Sequence, residues 1–89
     1  MTDYIQIYFN LTDKQYDRLT VQQKQILDYI AAYGSITPME AFSDLWITKL
    51  STRISEMRML GIRFDQTFES RENRFGRNVR YMRYRKAAA

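Results

Sequence analysis

Ile36-Thr37-Pro38-Met39-Glu40-Ala41-Phe42-Ser43-Asp44-Leu45-Trp46-Ile47-Thr48-Lys49-Leu50-Ser51-Thr52-Arg53-Ile54-Ser55-Glu56-Met57-Arg58-Met59-Leu60-Gly61 is the stretch that decides the fold. It reads as two short helices joined by a tight turn. Thr37 suits a cap, Pro38 suits the first helical position, and Glu40 completes a capping box. Phe42 and Leu45 fall three apart on one face. Trp46-Ile47 breaks that pattern, and Thr48 is placed to cap a second helix over residues 48–60. In this second helix Leu50, Ile54 and Met57 stack at helical spacing, and Gly61 is a natural stop. Such a pair is a helix-turn-helix, and its second helix commonly enters the major groove of DNA.

With that apolar stripe turned inward, Thr48, Thr52, Ser55 and Met59 lie opposite it at about 100° per residue. Lys49 and Glu56 sit beside them and Arg53 is on the flank. Short polar side chains let a helix backbone come close to base edges, while Arg and Lys reach guanine or phosphate. The competing reading is an ordinary solvated helix face, and this helix alone does not separate the two.

Around the pair, the chain falls into segments of different period. Thr20-Val21-Gln22-Gln23 is a Thr-x-x-Gln capping box that opens a helix ending at Gly34, with Ile26, Leu27, Ile30 and Ala31 on one face. It is the support across which the next two helices pack. Ser35-Ile36 is a short extended link. After Gly61 the period becomes two: Ile62, Phe64, Gln66 and Phe68 alternate with Arg63, Asp65, Thr67 and Glu69, the pattern of a half-buried strand. Residues 70–78 are a turn region and residues 79–86 a second strand with Tyr81, Met82 and Tyr84. A hairpin directly after a helix-turn-helix is a wing. The fold class expected is therefore α+β: a winged helix-turn-helix of three helices plus a C-terminal β-hairpin, spanning residues 20–86.

Residues 1–19 form an extension to that domain. Ile5, Ile7 and Phe9 stand at period two, which predicts an extra N-terminal strand with Tyr4 and Tyr8 on its other face. Thr12 with Gln15 opens a short helix containing Tyr16 and Leu19. So apolar a strand needs a partner, in its own domain's sheet or in a second copy of the chain as a homodimer; the first is preferred and the second stays open. Ala87-Ala88-Ala89 reads as a tail or scar.

The chain has 89 residues and a net charge of +4, which together describe one small basic domain. The charge is uneven. Residues 1–45 carry three Lys/Arg against six Asp/Glu, and residues 46–89 carry eleven against four. From Arg71 to Lys86 there are seven Lys/Arg and one acid, Glu72. A basic half points to a polyanion, with nucleic acid the first candidate and an anionic membrane surface the second. Arg74, Arg77 and Arg80 stand at or near the hairpin tip, placed for phosphates or a minor groove. Arginines at a hairpin edge also serve solubility, but their excess over lysine suits phosphate geometry.

Other classes are disfavoured. There is no His and no Cys, which removes the commonest general base, the thiol nucleophile, most zinc ligands and any disulfide. No phosphate loop and no calcium loop is present, so no metal site, no cofactor, no small-molecule substrate and no enzymatic activity is expected. Glu40 is explained as a cap, and Asp44 and Glu56 as neutralising nearby arginines. No apolar run is long enough to span a membrane, and the N-terminus lacks a signal-peptide pattern, so a cytoplasmic protein is expected.

Residues from about 24 to 64 resemble a small helix-turn-helix family common in bacteriophages and their bacterial hosts. The resemblance is carried by Ile26-Leu27-Asp28-Tyr29-Ile30, by Gly34-Ser35-Ile36-Thr37-Pro38-Met39-Glu40-Ala41, by Ile47-Thr48, by Arg53-Ile54-Ser55-Glu56-Met57-Arg58 and by Gly61-Ile62. It implies a winged-helix DNA-binding module, with Thr48, Arg53 and Arg58 at polar positions of the family. Trp46 departs from it, since a small turn residue is expected there; as a tryptophan it is read as a packing element.

The expectation that follows is a sequence-specific double-stranded-DNA-binding protein, a small phage-type transcriptional regulator. Thr48, Lys49, Thr52, Arg53 and Ser55 form its groove set, and Arg74, Arg77 and Arg80 its wing set. One alternative is a winged-helix adaptor or inhibitor of a host protein, using the aromatic N-terminal strand and Trp46. Another is single-strand or RNA binding, with Phe75, Tyr81 and Tyr84 as stacking platforms.

Overall fold

A computed structural model describes residues 3–88; Met1, Thr2 and Ala89 of the terminal segments lie outside the described residues. Five helices are followed by one antiparallel hairpin: α1 (Tyr4–Tyr8), α2 (Asp13–Asp17), α3 (Val21–Tyr33), α4 (Pro38–Leu45), α5 (Leu50–Met59), β1 (Phe64–Glu72) and β2 (Asn78–Lys86). The helix starts are local chemistry. Thr12, Thr20 and Thr37 each accept a hydrogen bond from the N–H three residues on, and Gln15, Gln23 and Glu40 reach back to the cap N–H. Gly34 ends α3. After α5 the Gly61 N–H donates to the Arg58 carbonyl and the Ile62 N–H to that of Met57. Gly61 makes this reversal at φ 90°, and a Cβ there would meet the Gln15 side chain at 3.0 Å.

One core joins every element. Ile26, Leu27 and Ile30 of α3 meet Ala41 of α4, Leu50, Ile54 and Met57 of α5, Ile47 in the turn, and Ile62, Phe64 and Tyr84 at the hairpin root. The buried stripe on α5 is the one its spacing predicts. Ile36 pairs with Tyr84 through two backbone hydrogen bonds of 2.9 Å, so the short link before α4 adds a single-residue third strand to the hairpin.

The N-terminal strand is a correction: residues 4–8 are helical. Period two over Ile5-x-Ile7-x-Phe9 also contains an i, i+4 pair, and the helix uses that pair. Ile5 and Phe9 are buried, whereas Ile7 is 66% exposed. The Asp3 carboxylate caps the helix by accepting from the Ile5 N–H. With no strand there, the edge on which a second copy was to pair does not exist. The three helices expected within residues 20–86 are α3, α4 and α5, and the short helix expected after Thr12 is α2, so only α1 is added to the count. Residues 3–19 lie against the core, with Ile5, Phe9, Leu11 and Leu19 in the same cluster as the helix-turn-helix. The Phe9 and Phe64 rings are 6.0 Å apart, and the Gln15 amide donates to the Leu60 carbonyl at 2.9 Å.

The hairpin differs from expectation in extent. β1 starts at Phe64 and runs on to Glu72, and nine residue pairs leave a tip of only residues 73–77. Burial stops near its root: Phe64 and Tyr84 are buried, while Phe68 and every residue from 70 to 80 are exposed. The alternation of residues 62–68 did not foresee this, because no element lies under the outer half of the strand. Residues beyond the Gln66–Tyr84 pair extend about 20 Å at ~3.3 Å each, in keeping with a molecule of 49 × 27 × 22 Å.

Candidate nucleic-acid interface

The second helix of the pair begins later than its spacing suggested. Lys49 holds the cap position of α5 without a side-chain hydrogen bond, and Thr48 lies before it; the expected Thr48 cap is not formed. The reason is the turn. Trp46 takes a left-handed conformation at φ 59°, its N–H donating to the Phe42 carbonyl and the Ile47 N–H to that of Ala41. Ile47 is thereby driven into the core and Trp46 outward, 78% exposed and touching the Phe42 ring edge-on. Trp46 is not the packing element expected of it.

Four of the five groove-set residues, Thr48, Lys49, Thr52 and Ser55, are exposed, together with Ser51, Arg58 and Met59. Only short side chains stand on the middle of α5, so another molecule can come close to its backbone. The α5 amino terminus, free of a side-chain cap, adds N–H groups and the positive end of the helix dipole. Arg53 stands apart. It is half-buried on the flank, 3.4 Å from the Glu56 carboxylate, and Glu56 also accepts from the buried Gln23 amide at 3.0 Å. The Arg53 Nε is buried with no partner among the described residues. Glu56 thus neutralises an arginine as expected, but Asp44 instead accepts from the Tyr29 hydroxyl, which holds that tyrosine well above its ordinary range.

The hairpin has two unlike faces. Phe64, Gln66 and Phe68 share one with Tyr84, Met82 and Arg80, as the register requires. This face looks on to α5: the Arg58 guanidinium donates to the Gln66 side chain at 2.8 Å and lies 6.0 Å from the Tyr84 ring. Arg80 lies over the exposed Phe68 ring at 4.5 Å on that same face. The opposite face fastens the hairpin to the body. Arg83 donates to Glu69 at 2.8 Å and to the Ser35 hydroxyl at 2.8 Å, and lies 3.6 Å from Glu40. The Arg83 hydrogen bond foremost holds the Glu69 carboxyl below its ordinary range.

Arg74 and Arg77 are at the tip and Arg80 is three residues into β2. Among the described residues none of the three, nor Arg71, enters an ion pair. Their charge is therefore unspent, in contrast to Arg83 and Arg85, which share Glu69. Arg58 belongs to the α5-facing surface, and Arg71, which the register puts on the opposite face, adds to the charge of the arm, although spacing did not single either out in the groove or wing sets. The signal available for Arg58 was its family position, and for Arg71 the one-sided charge of residues 71–86. The stacking alternative loses most of its platforms: Tyr84 is in the core, and the Tyr81 hydroxyl donates to Glu69 at 3.1 Å.

Among the described residues, no cluster of three or more His, Cys, Asp or Glu could hold a metal ion, and no helix is long and apolar enough to cross a membrane. Compared with known protein families, residues 21–86 match the model of a winged helix-turn-helix domain. No curated protein and no solved structure matches the chain.

Proposed function

Because the chain belongs to the winged helix-turn-helix family, a family of DNA-binding domains, we propose that it is a sequence-specific reader of double-stranded DNA that acts as a small transcriptional regulator of phage type. In this reading α5 lies in the major groove. Thr48, Lys49, Thr52, Arg53 and Ser55 face base edges and nearby phosphates, and Arg74, Arg77 and Arg80 hold the backbone or minor groove alongside. The observation that supports it best is the contrast within the basic half. The arginines that fasten the hairpin are paired with carboxylates, whereas those toward its tip are exposed and unpaired. Unpaired guanidinium groups displace condensed counterions from a duplex, which is the main source of affinity for DNA. Arg53 fits a specificity role through its outer guanidinium nitrogens, whose contact with Glu56 is long at 3.4 Å and can be exchanged for a base edge. A cytoplasmic location, in contact with DNA, accompanies this reading.

The test is a binding-site selection on random duplex DNA, followed by gel-shift titration of variants. Arg77→Ala weakens binding to all sequences alike and lowers the salt slope by about one. Thr52→Ala or Arg53→Ala changes which sequence is preferred. A palindromic selected site indicates a homodimer on DNA. Unchanged affinity and preference in these variants would overturn the assignment.

A second reading, a protein adaptor without DNA binding, is favoured by one feature. Met39, Phe42 and Trp46 are exposed on or beside α4 at helical spacing. Pull-down from nuclease-treated lysate separates the two, because a partner retained there in the absence of any duplex affinity supports the adaptor.

A further inference from the structure

Phe75 is the most apolar residue of the hairpin tip and is 86% exposed. Among the described residues nothing covers it. Its setting is not that of a slack loop. The Asn73 carboxamide oxygen accepts from the N–H groups of both Phe75 and Arg77 at 3.0 Å. The Asn73 N–H donates to the Arg77 carbonyl at 2.7 Å, and the Gly76 N–H to the Asn73 carbonyl at 3.0 Å. Gly76 closes the turn at φ 77°, and lacking a side chain it leaves the Phe75 ring alone at the apex. Four hydrogen bonds within five residues thus fix the backbone of the turn from which the exposed Phe75 ring projects, between Arg74 and Arg77 in sequence.

An exposed phenylalanine contributes nothing to the fold, and the order imposed on its backbone lowers the entropy cost of placing it against another molecule. Its two charged neighbours select the kind of molecule. Arginines on both sides suit the phosphates that border a minor groove, and apolar side chains inserted there part adjacent base pairs. A groove of about 6 Å width admits a narrow tip, and the unsupported outer half of the hairpin supplies about 20 Å of reach.

We propose that Phe75 is a wedge: it enters the minor groove beside the α5 site, inserts its ring between two base pairs and kinks the duplex. This rests on the DNA-binding reading above and adds an indirect source of specificity to it. The duplex is parted most cheaply at a pyrimidine–purine step such as TpA. Sequence preference therefore extends to a base step that no hydrogen-bonding side chain touches, about half a helical turn from the α5 site.

The experiment uses the full chain, mixed-sequence 30-bp duplexes with fluorophores at both ends for bending, and matched duplexes with 2-aminopurine beside each TpA step. Binding is measured at low salt. For the unaltered protein the expected result is a rise in 2-aminopurine emission at one step and a shortened end-to-end distance. Phe75→Ala should bind about tenfold more weakly and give neither signal, with unchanged circular dichroism and melting because the ring is exposed. Arg74→Ala/Arg77→Ala should lose affinity yet still give the emission rise at saturation, which separates the ring's role from that of charge. Binding by the unaltered protein without the emission rise overturns the wedge and leaves DNA binding standing, whether or not Phe75→Ala loses affinity. No binding to any duplex at low salt overturns the DNA-binding reading itself.

Discussion

Trp46 holds a backbone conformation that a bulky residue seldom adopts, at φ 59°. It does so because the chain must reverse between α4 and α5 while sending Ile47 inward. Its ring, 78% exposed, recovers only an edge contact with Phe42. Trp46→Asn should therefore leave stability unchanged or raise it by up to about 1 kcal/mol, since Asn tolerates the left-handed region. A tryptophan packed in the core would instead cost about 3–5 kcal/mol on truncation. Urea denaturation of the two proteins decides between these. Glu69 makes the second prediction at this scale. Its carboxyl is held below its ordinary value of 4.5, first by the Arg83 hydrogen bond. The ionised form is thus favoured by folding. Its contribution is complete above the unfolded value and lost as pH falls through the lower folded one. Glu69→Gln should melt below the unaltered protein near neutral pH, and the two melting temperatures should converge as pH falls below about 4.

The helices α2, α3 and α4 begin where a threonine meets a Gln or Glu three residues later, and the three boxes differ in depth. Thr37 is buried, whereas Thr12 and Thr20 are exposed. Removing the Thr37 hydroxyl leaves the Glu40 N–H without its partner in a place water enters poorly. Thr37→Ala should cost about 2 kcal/mol and Thr20→Ala nearer 1, both read from denaturation midpoints. At the same scale the hairpin divides into root and arm. The root is fixed by the Ile36–Tyr84 bridge and by Arg83, whose partners come from before α4, from α4 itself and from β1. The arm carries unpaired arginines and the exposed tip. A stiff root under a free arm is suited to presenting a contact at a defined distance from α5.

For the molecule as a whole, the residues ahead of Thr20 complete the core. Ile5, Phe9, Leu11 and Leu19 are all buried in the cluster that includes Ile62 and Phe64. Each such side chain is worth about 1.5–3 kcal/mol on burial, and a small domain has only about 5–15 kcal/mol in all. A chain of residues 20–86 alone should lose most of its cooperative thermal transition, followed by circular dichroism. Retention of the full melting temperature would show instead that residues 1–19 are a separable extension. Charge acts at this scale too. The acidic first half and basic second half orient the molecule toward a polyanion before any contact forms.

Sequence by itself determined the features whose causes lie within one helical turn or one strand. The capping boxes, the Leu50–Ile54–Met57 stripe, the stops at Gly34 and Gly61 and the run of arginines after residue 70 are of this kind, because partner and cause are neighbours in the chain. Tertiary structure decided whatever depends on what lies opposite. Ile5, Ile7 and Phe9 satisfy a strand period and a helix period alike, and only a core against one side of them selected the helix. Phe68 alternates correctly for burial but has nothing beneath it. Arg83 and Arg77 are the same residue type in one basic run; the first meets Ser35, 48 residues away, and the second meets solvent. Local pattern fixes which groups a segment offers, and only the packed chain settles which of them are already spent.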